Sequence, residues 1–352
     1  MSLTKYVFTF LICTTVYIQH IYSQEVGTKI DFFGYADNRE YKAPYTIDKT
    51  FFGAIISPQL YLKLDRHHKF VGGLLYNQDF GINSENKNKV NPIAYYNYTS
   101  EWIDFGIGFI PRHEKLKNIP LLVLSDTLQY DRPNLEGMFF NYRTSTFHCI
   151  HEDHRQMLRL QLLVDEESYD DWEDNGNRSS LREKFIAGIS GNYKFGIAYF
   201  ANDGTLYHNA LTNTNNPDEH IQDNAVLVLR LGLDFSENIL LDSLTIDAGT
   251  VLGFDRVRTE YSNSSKAFIS NIHLGYKKFF IHNTLYLGEA INLPYGDSFY
   301  HRDQYNRLDL GWVPFQGKNI DGKFTASFHF HEGGMENQQA FTLRYRFDQS
   351  LW

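Results

Sequence analysis

Apolar and polar side chains alternate at every second residue in one segment after another of this 352-residue chain. The stretch "AVLVLRLGLDF" (225–235) places leucines and a phenylalanine on one face and Arg230, Gly232 and Asp234 on the other. Near the C-terminus, "AFTLRYRF" (340–347) repeats the pattern, with Arg344 and Arg346 on its polar face. Because side chains of a strand point alternately to its two faces, this period predicts β-strands rather than helices.

Counting these segments predicts about sixteen strands, in a range of 14 to 18. The stretch "QMLRLQLLV" (156–164) is either a further strand or an extension of the strand that begins near 147. An even number of strands leaves both chain ends on the same side of a closed barrel. The predicted strands begin near residues 28, 50, 69, 93, 102, 134, 147, 184, 193, 225, 244, 268, 279, 306, 322 and 340.

Short and long connections alternate along the chain. Tight joins are expected at 65–68, 100–101, 191–192 and 277–278, and long polar stretches at 82–92, 111–133, 201–224, 255–267 and 290–305. This order is typical of a barrel with short periplasmic turns and long outer loops. The predicted fold class is therefore all-β, a transmembrane antiparallel up-and-down β-barrel. The alternative is a soluble, secreted all-β protein such as a sandwich or a propeller.

The N-terminus has the features of a secretory signal peptide. Lys5 precedes an uncharged apolar run from residue 6 to 18, and the small residue Ser23 stands before Gln24. The run is too short and too diluted by polar residues to favour a transmembrane anchor. We expect a signal peptide at residues 1–23 and a single barrel domain at 24–352.

Composition narrows the functional classes. The 28 Phe and 24 Tyr residues suit half-buried strands. After removal of the signal, Cys149 is the one remaining cysteine, so an intrachain disulfide is excluded. Removing Lys5 leaves 32 basic against 42 acidic residues, a balance that argues against a nucleic-acid partner.

Charged residues on the predicted inward faces mix both signs. A polar interior of this kind favours a water-filled passage for small hydrophilic solutes without strong selectivity for anions or cations. Glycines on the same faces are expected to leave space. The lumen candidates are Lys63, Asp104, Arg230, Asp234, Asp247, Arg307, Asp309, Lys323, Arg344 and Arg346.

The stretch "LSDTLQYDRPNLEG" (124–137) is the most distinctive run of the chain. It either folds into the barrel as a constriction or is a plain connection held at the rim by Pro133 and Gly137. The residues expected to form a polar network in the first case are Asp126, Tyr130, Asp131, Arg132, Asn134 and Glu136.

Two further clusters carry weaker signals. In "FHCIHEDH" (147–154), His148, Glu152 and His154 share a strand face and could bind a transition metal, although a strand end in solvent is the favoured interpretation. The acidic stretch 165–174 lacks the spacing of a calcium loop, so a solvated outer loop is expected. We therefore expect no metal and no cofactor.

Four segments carry a resemblance to a known family: "PLLVLSDTLQYDRPNLEGMFFNYR", "DEHIQDNAVLVLRLGLDFS", "LDSLTIDAGTVLGFDRVR" and "FYHRDQYNRLDLGWVPFQGKNIDGKF". With these segments the chain resembles a family of porin-like outer-membrane β-barrel proteins from Bacteroidetes-type bacteria. The resemblance implies a barrel and an outer-membrane location, but no substrate. The chain departs from the usual terminal aromatic signal, because the alternation stops at Phe347 and "DQSLW" follows.

The function expected from the sequence is a porin-like channel of the bacterial outer membrane. The expected partners are outer-membrane lipid, periplasmic chaperones, the barrel-assembly machinery and small hydrophilic solutes. One alternative is a non-conducting surface barrel whose long loops bind a partner or a glycan. Another is an outer-membrane hydrolase with Ser125 or Ser327 as nucleophile, but no spacing points to either serine. The expectation is that the chain is not an enzyme.

Overall fold

The computed structural model describes residues 25–42, 46, 48–81, 89–115, 119–144, 157–170, 181–211, 221–236, 240–258 and 260–351. In these residues, sixteen antiparallel strands follow one another in chain order, and β1 pairs with β16 to close the sheet. The predicted fold class is confirmed. The strands are β1 Glu25–Glu40, β2 Thr50–Lys63, β3 His68–Asp79, β4 Lys89–Thr99, β5 Ile103–Pro111, β6 Asn134–Thr144, β7 Met157–Asp170, β8 Leu181–Phe195, β9 Ala198–Leu211, β10 Gln222–Asp234, β11 Ser243–Val257, β12 Tyr261–Tyr276, β13 Phe279–Gly288, β14 Gln304–Gln316, β15 Ile320–His331 and β16 Gly334–Ser350.

The two faces of the sheet have opposite chemistry. Leu60, Leu231 and Phe279 are exposed on the outer face by 61%, 70% and 61%, whereas Asp31 and Asp37 are buried on the inner face. Hydrocarbon can cover the apolar outside only because closure leaves no unpaired strand edge. The arrangement is that of a porin-like barrel of the outer-membrane type. No helix in the described ranges is long and apolar enough to span a membrane.

Three connections differ from the sequence prediction. The predicted join at 191–192 lies inside β8, and the turn is at Gly196, where the chain has a positive φ of 57°. The predicted loop 255–267 is mostly strand, because β11 and β12 remain paired up to Val257 and Tyr261. The loop predicted at 201–224 is shortened by β9 and β10, which run to Leu211 and from Gln222. Polar residues there extend the ladders, whose hydrogen bonds come from the backbone whatever the side chain.

The acidic stretch 165–174, which was expected to be an outer loop, is partly strand. Strand β7 contains residues 165–170 and stays paired with β8 as far as Asp170↔Leu181. Residues 157–164 belong to β7, and the predicted strand start near 147 lies outside the described residues. The metal candidates His148, Glu152 and His154 lie outside the described residues, as does the predicted signal peptide.

The inward glycines do not leave the interior empty. Aromatic rings from neighbouring strands lie over them: Phe139 over Gly106, Tyr199 over Gly232 and Phe280 over Gly311. A methyl group in place of the hydrogen would collide with each ring. The missing side chains of these glycines therefore leave room for aromatic rings, which pack along the inner wall.

Two chain segments fold into the barrel and contribute to its core. The first insertion, residues 112–133, follows the short strand β5, and the second insertion, residues 289–303, follows β13. Leu122, Val123, Leu293 and Phe299 from these insertions are buried in one cluster with inward residues of β10–β14. Tyr130 belongs to a second cluster with inward residues of β1–β6. The lumen is therefore partly filled by its own loops.

Candidate functional site

The first insertion turns back into the lumen as soon as β5 ends. A single helical turn, α1 (Arg112–Lys115), follows Pro111, and the Lys115 ammonium lies 3.1 Å from Asp104 near the start of β5. The same ammonium donates a hydrogen bond of 2.6 Å to Asn97 on β4. These contacts hold the start of the insertion against the inner wall.

The predicted constriction residues divide between the insertion and the wall. Asp126 binds Arg39 of β1 at 2.9 Å. In the helical turn α2 (Leu128–Asp131), the ring of Tyr130 stacks on Tyr35 at 4.5 Å and on Phe51 at 5.3 Å. The polar network on the insertion thus contacts β1 and β2.

Two of the predicted constriction residues were placed wrongly. Asn134 begins β6 and donates a hydrogen bond of 2.8 Å to the carbonyl of Pro92. Glu136 is exposed on the outward face of β6. Both residues lie in the wall because pairing with β5 starts at Pro111↔Asn134.

The two insertions bind each other directly. The amide of Ser125 donates to the carbonyl of Tyr295 at 2.7 Å, and the amide of Asp297 donates to the carbonyl of Leu121 at 2.9 Å. Arg132 donates to the Tyr295 hydroxyl at 3.0 Å and stacks over its ring. Asp131 is the remaining predicted loop residue, and burial raises the pKa of its carboxyl. The insertions therefore act as one unit inside the barrel.

Two acidic groups of this unit have opposite pKa shifts. Burial alone would raise the pKa of Asp126, but Arg39 and Arg307 outweigh it and lower that pKa. Burial raises the pKa of Asp297, and the attraction of Arg307 at 3.7 Å offsets only part of this effect. Asp126 is thus kept ionised, whereas Asp297 holds its proton to a higher pH.

An interior cavity of about 550 Å³ lies between this unit and the barrel wall. The predicted lumen residues Arg230, Asp247, Arg307, Asp309 and Lys323 all line it. Arg230 bridges Asp203 at 2.6 Å and Asp247 at 3.2 Å. Arg307 pairs with Asp309 at 2.7 Å.

The other predicted lumen residues are also on the inner face and are paired. Lys63 binds Glu25 at 2.8 Å, and Asp234 binds Lys194 at 2.8 Å. Arg346 forms an ion pair with Asp321. Asp104 is held by Lys115, and Arg344 by Asp31 at 2.7 Å. The role of these residues in solute passage stays a prediction.

Sequence reasoning missed a buried histidine and aspartate pair. The Nε2 atom of His113 in α1 lies 3.1 Å from Oδ2 of Asp31 on β1, and Arg344 donates two hydrogen bonds to the same carboxylate. Ser57 is the partner of Asp31 across the β1–β2 ladder. Its hydroxyl is buried and has no hydrogen-bond partner among the described residues. We call Asp31, His113 and Ser57 the β1 site.

The β1 site adjoins a second cavity of about 270 Å³. Besides His113, this cavity is lined by the aliphatic residues Ile119, Leu121, Leu124 and Leu128 and by the polar residues Arg112, Ser125, Asp126 and Gln129. A base held by a carboxylate and a hydroxyl on the facing strand are parts that acyl transfer requires. No sequence spacing could reveal the site, because its members come from three separate segments.

Neither serine considered from the sequence forms a hydrogen bond with a histidine among the described residues, although Ser125 lines the same cavity as His113. The Ser125 hydroxyl lies 3.0 Å from the Thr127 hydroxyl, and Ser327 accepts a hydrogen bond from Arg307 at 3.1 Å. His329 instead stacks on Phe299 at 4.1 Å. In the described ranges no group of three or more His, Cys, Asp or Glu residues is arranged to hold a metal.

Comparison with known families corrects one expectation. Residues 18–154 match a family model described as Lipid A 3'-O-deacylase-type. This range includes β1–β6 and the whole β1 site but is less than half of the 352-residue chain. Because that family is named for an enzymatic activity, the expectation that the chain is not an enzyme is wrong. Membership of a Bacteroidetes-type family stays a prediction.

Solved structures with a similar fold have low sequence identity to this chain. The outer membrane protein OpdK from Pseudomonas aeruginosa has a TM-score of 0.49 and 9% identity, covering 92% of this chain and 99% of that one. OmpF from Salmonella typhi, in complex with daunomycin, has a TM-score of 0.45 and 14% identity, covering 92% and 97%. OccAB4 from Acinetobacter baumannii has a TM-score of 0.44 and 9% identity, covering 92% and 98%. Among curated proteins, none matches this sequence.

Proposed function

We propose that this chain is an outer-membrane hydrolase that cleaves an acyl ester of lipid A or of a similar glycolipid. The observation that carries the proposal is the His113–Asp31 contact of 3.1 Å inside the segment that matches the deacylase model. We further propose that the chain is exported by its N-terminal signal and acts in the bacterial outer membrane.

The chemistry assigns one role to each residue of the β1 site. With its Nε2 proton donated to Asp31, His113 has Nδ1 as its basic nitrogen. In this proposal the base takes the proton of the Ser57 hydroxyl, which has no hydrogen-bond partner among the described residues, as the serine oxygen bonds to the acyl carbon. The base then delivers that proton to the departing sugar oxygen. Water releases the fatty acid from Ser57 in the second half of the reaction.

The surroundings support these roles. Arg344 satisfies the remaining lone pairs of Asp31, so the carboxylate can orient the imidazole and balance the charge that forms on it. The four aliphatic side chains of the 270 Å³ cavity give an acyl chain an apolar place to lie next to His113.

The test is lipid A deacylation by the refolded protein, with released fatty acid and lost acyl mass followed by mass spectrometry. His113→Asn should lower the rate at least about 100-fold, as loss of a general base does. Ser57→Ala should do the same, whereas His67→Asn, in the exposed turn between β2 and β3, should leave the rate unchanged. Absence of deacylation by the wild-type protein, or equal rates for all three variants, would refute the proposal.

Passage of small hydrophilic solutes is the second candidate, favoured by the charged 550 Å³ cavity in the lumen. Planar-bilayer conductance of the refolded protein tests it. Discrete steady openings would support a channel. A closed barrel that never conducts would instead favour either the enzyme alone or a surface barrel whose loops bind a partner or a glycan.

A further inference from the structure

Three carboxylates and three side-chain cations, Arg230, Arg307 and Lys323, line the 550 Å³ cavity, but the cations are not all paired. The three lining carboxylates, Asp126, Asp247 and Asp309, each have a guanidinium within 3.2 Å. Lys323 also lines the cavity and forms no ion pair with any residue in the described part of the chain. Its ammonium lies 5.0 Å from the ring centroid of Phe280. One cation of the cavity is therefore left to interact with whatever enters.

Residues with hydroxyl groups lie on the same inner face as Lys323. Thr342 is the partner of Lys323 across the β15–β16 ladder, and Thr325 follows two residues later on β15. Both hydroxyl-bearing residues line the cavity, together with Ser327. The Ser327 oxygen already accepts from Arg307, so its own proton points elsewhere and can be donated. Ala340, the partner of Thr325 across the ladder, has a small side chain and leaves room for a ligand.

We infer that Lys323, Thr325, Ser327, Ala340 and Thr342 form a binding site for a small monocarboxylate in the lumen. One ammonium balances one negative charge, and the hydroxyls donate to the remaining lone pairs of a carboxylate. Phosphate groups are better held by the planar fork of arginine, and both lining arginines of this region are already engaged by aspartates. The site is separate from the proposed ester hydrolysis and does not depend on it.

Saturation-transfer NMR on the refolded full-length protein in detergent tests this site with butyrate, with the neutral isostere butyramide and with inorganic phosphate as probes. Butyrate should give a saturation signal and butyramide should give none. Lys323→Gln should weaken butyrate binding at least about tenfold, the effect of losing one charged hydrogen bond. The matched control is Lys318→Gln in the exposed turn before β15, which removes the same charge and should leave binding unchanged.

A second variant guards against a folding defect in the first. Thr342→Val keeps the shape of the wall while removing one donor, and it should weaken butyrate binding severalfold in a protein whose gel migration still shifts on heating. Equal signals for butyrate and butyramide would overturn the inference. Unchanged butyrate binding in Lys323→Gln would also overturn it, and Lys323-dependent broadening of the phosphate resonance would overturn the choice of a carboxylate.

Discussion

The guanidinium of Arg39 on β1 lies 2.9 Å from the carboxylate of Asp126, which is 87 residues further along the chain in the first insertion. Asp37 binds the same guanidinium at 2.7 Å, and the Gln338 amide donates to Asp37 at 2.7 Å. The pair thus ties the inserted unit to the seam where β1 meets β16.

Removing one member of this pair should loosen the insertion. Arg39→Leu leaves Asp126 and Asp37 without their guanidinium, and breaking a buried pair in this way costs about 3 kcal/mol or more. We expect faster hydrogen exchange across residues 119–131 and a lower urea midpoint in lipid vesicles. Glu25→Gln, which breaks the more exposed pair with Lys63, should change the midpoint little, since such pairs contribute about 0 to 1 kcal/mol.

The stacked ring of Tyr130 supplies an apolar anchor for the same insertion. Tyr130→Ala removes a buried ring that contacts Tyr35 and Phe51 and should destabilise the barrel by about 3 kcal/mol. Tyr130→Phe keeps the stacking and should cost far less. Equilibrium unfolding in vesicles would measure both, and similar losses for the two variants would show that the hydroxyl rather than the ring anchors the insertion.

The pKa shifts of Asp126 and Asp297 predict opposite dependence of stability on pH. The pKa of Asp126 is lowered by Arg39 and Arg307, so its stabilising effect is present above its ordinary value of 3.8 and is lost as the pH falls. The pKa of Asp297 is raised by burial, so ionisation opposes folding as the pH rises above 3.8 and through the raised value.

The stabilities of Asp126→Asn and Asp297→Asn relative to the wild-type protein should therefore change in opposite ways with pH. Asp126→Asn should destabilise the protein at pH 7, and this effect should shrink as the pH falls below 3.8. Asp297→Asn should stabilise it at pH 7, because the amide carries no charge and its oxygen can still accept from the Phe299 amide, as Asp297 does at 3.1 Å. Melting temperatures across this pH range would measure both effects. Parallel curves for the two variants would contradict the assigned shifts.

The sequence predicted the wall of this barrel better than its contents. A period of two residues decides which face each side chain takes, so inward residues such as Arg230 and Arg344 could be assigned without a structure. Partners could not be assigned, because they depend on register and on how far an insertion reaches. His113 meets Asp31 from a segment 82 residues away, and no local pattern encodes that contact.

The predicted loop boundaries were wrong for a different reason. Polar residues at 255–267 resemble a loop, yet β11 and β12 stay paired there because backbone hydrogen bonds do not require apolar side chains. At Asn134 the strand begins where the sequence predicts it, near residue 134, but Asn134 and Glu136 were also assigned to the constriction network, which the wall position of both residues does not support. Patterns of hydrophobicity mark where a strand meets lipid, and strands continue beyond that limit.

Gly108 should not accept a side chain without strain. It has a φ of 128°, and a Cβ atom there would lie 2.2 Å from the carbonyl oxygen of Ala94. Since β5 leads directly into the first insertion, Gly108→Ala should destabilise the barrel by about 2 kcal/mol and displace the insertion from the wall. Gly72→Ala is the matched control, because its Cβ would meet no atom within 4 Å on the outer face of β3. Urea unfolding in vesicles should show a loss for the first variant and none for the second. Equal midpoints would mean that the backbone at Gly108 relaxes without cost.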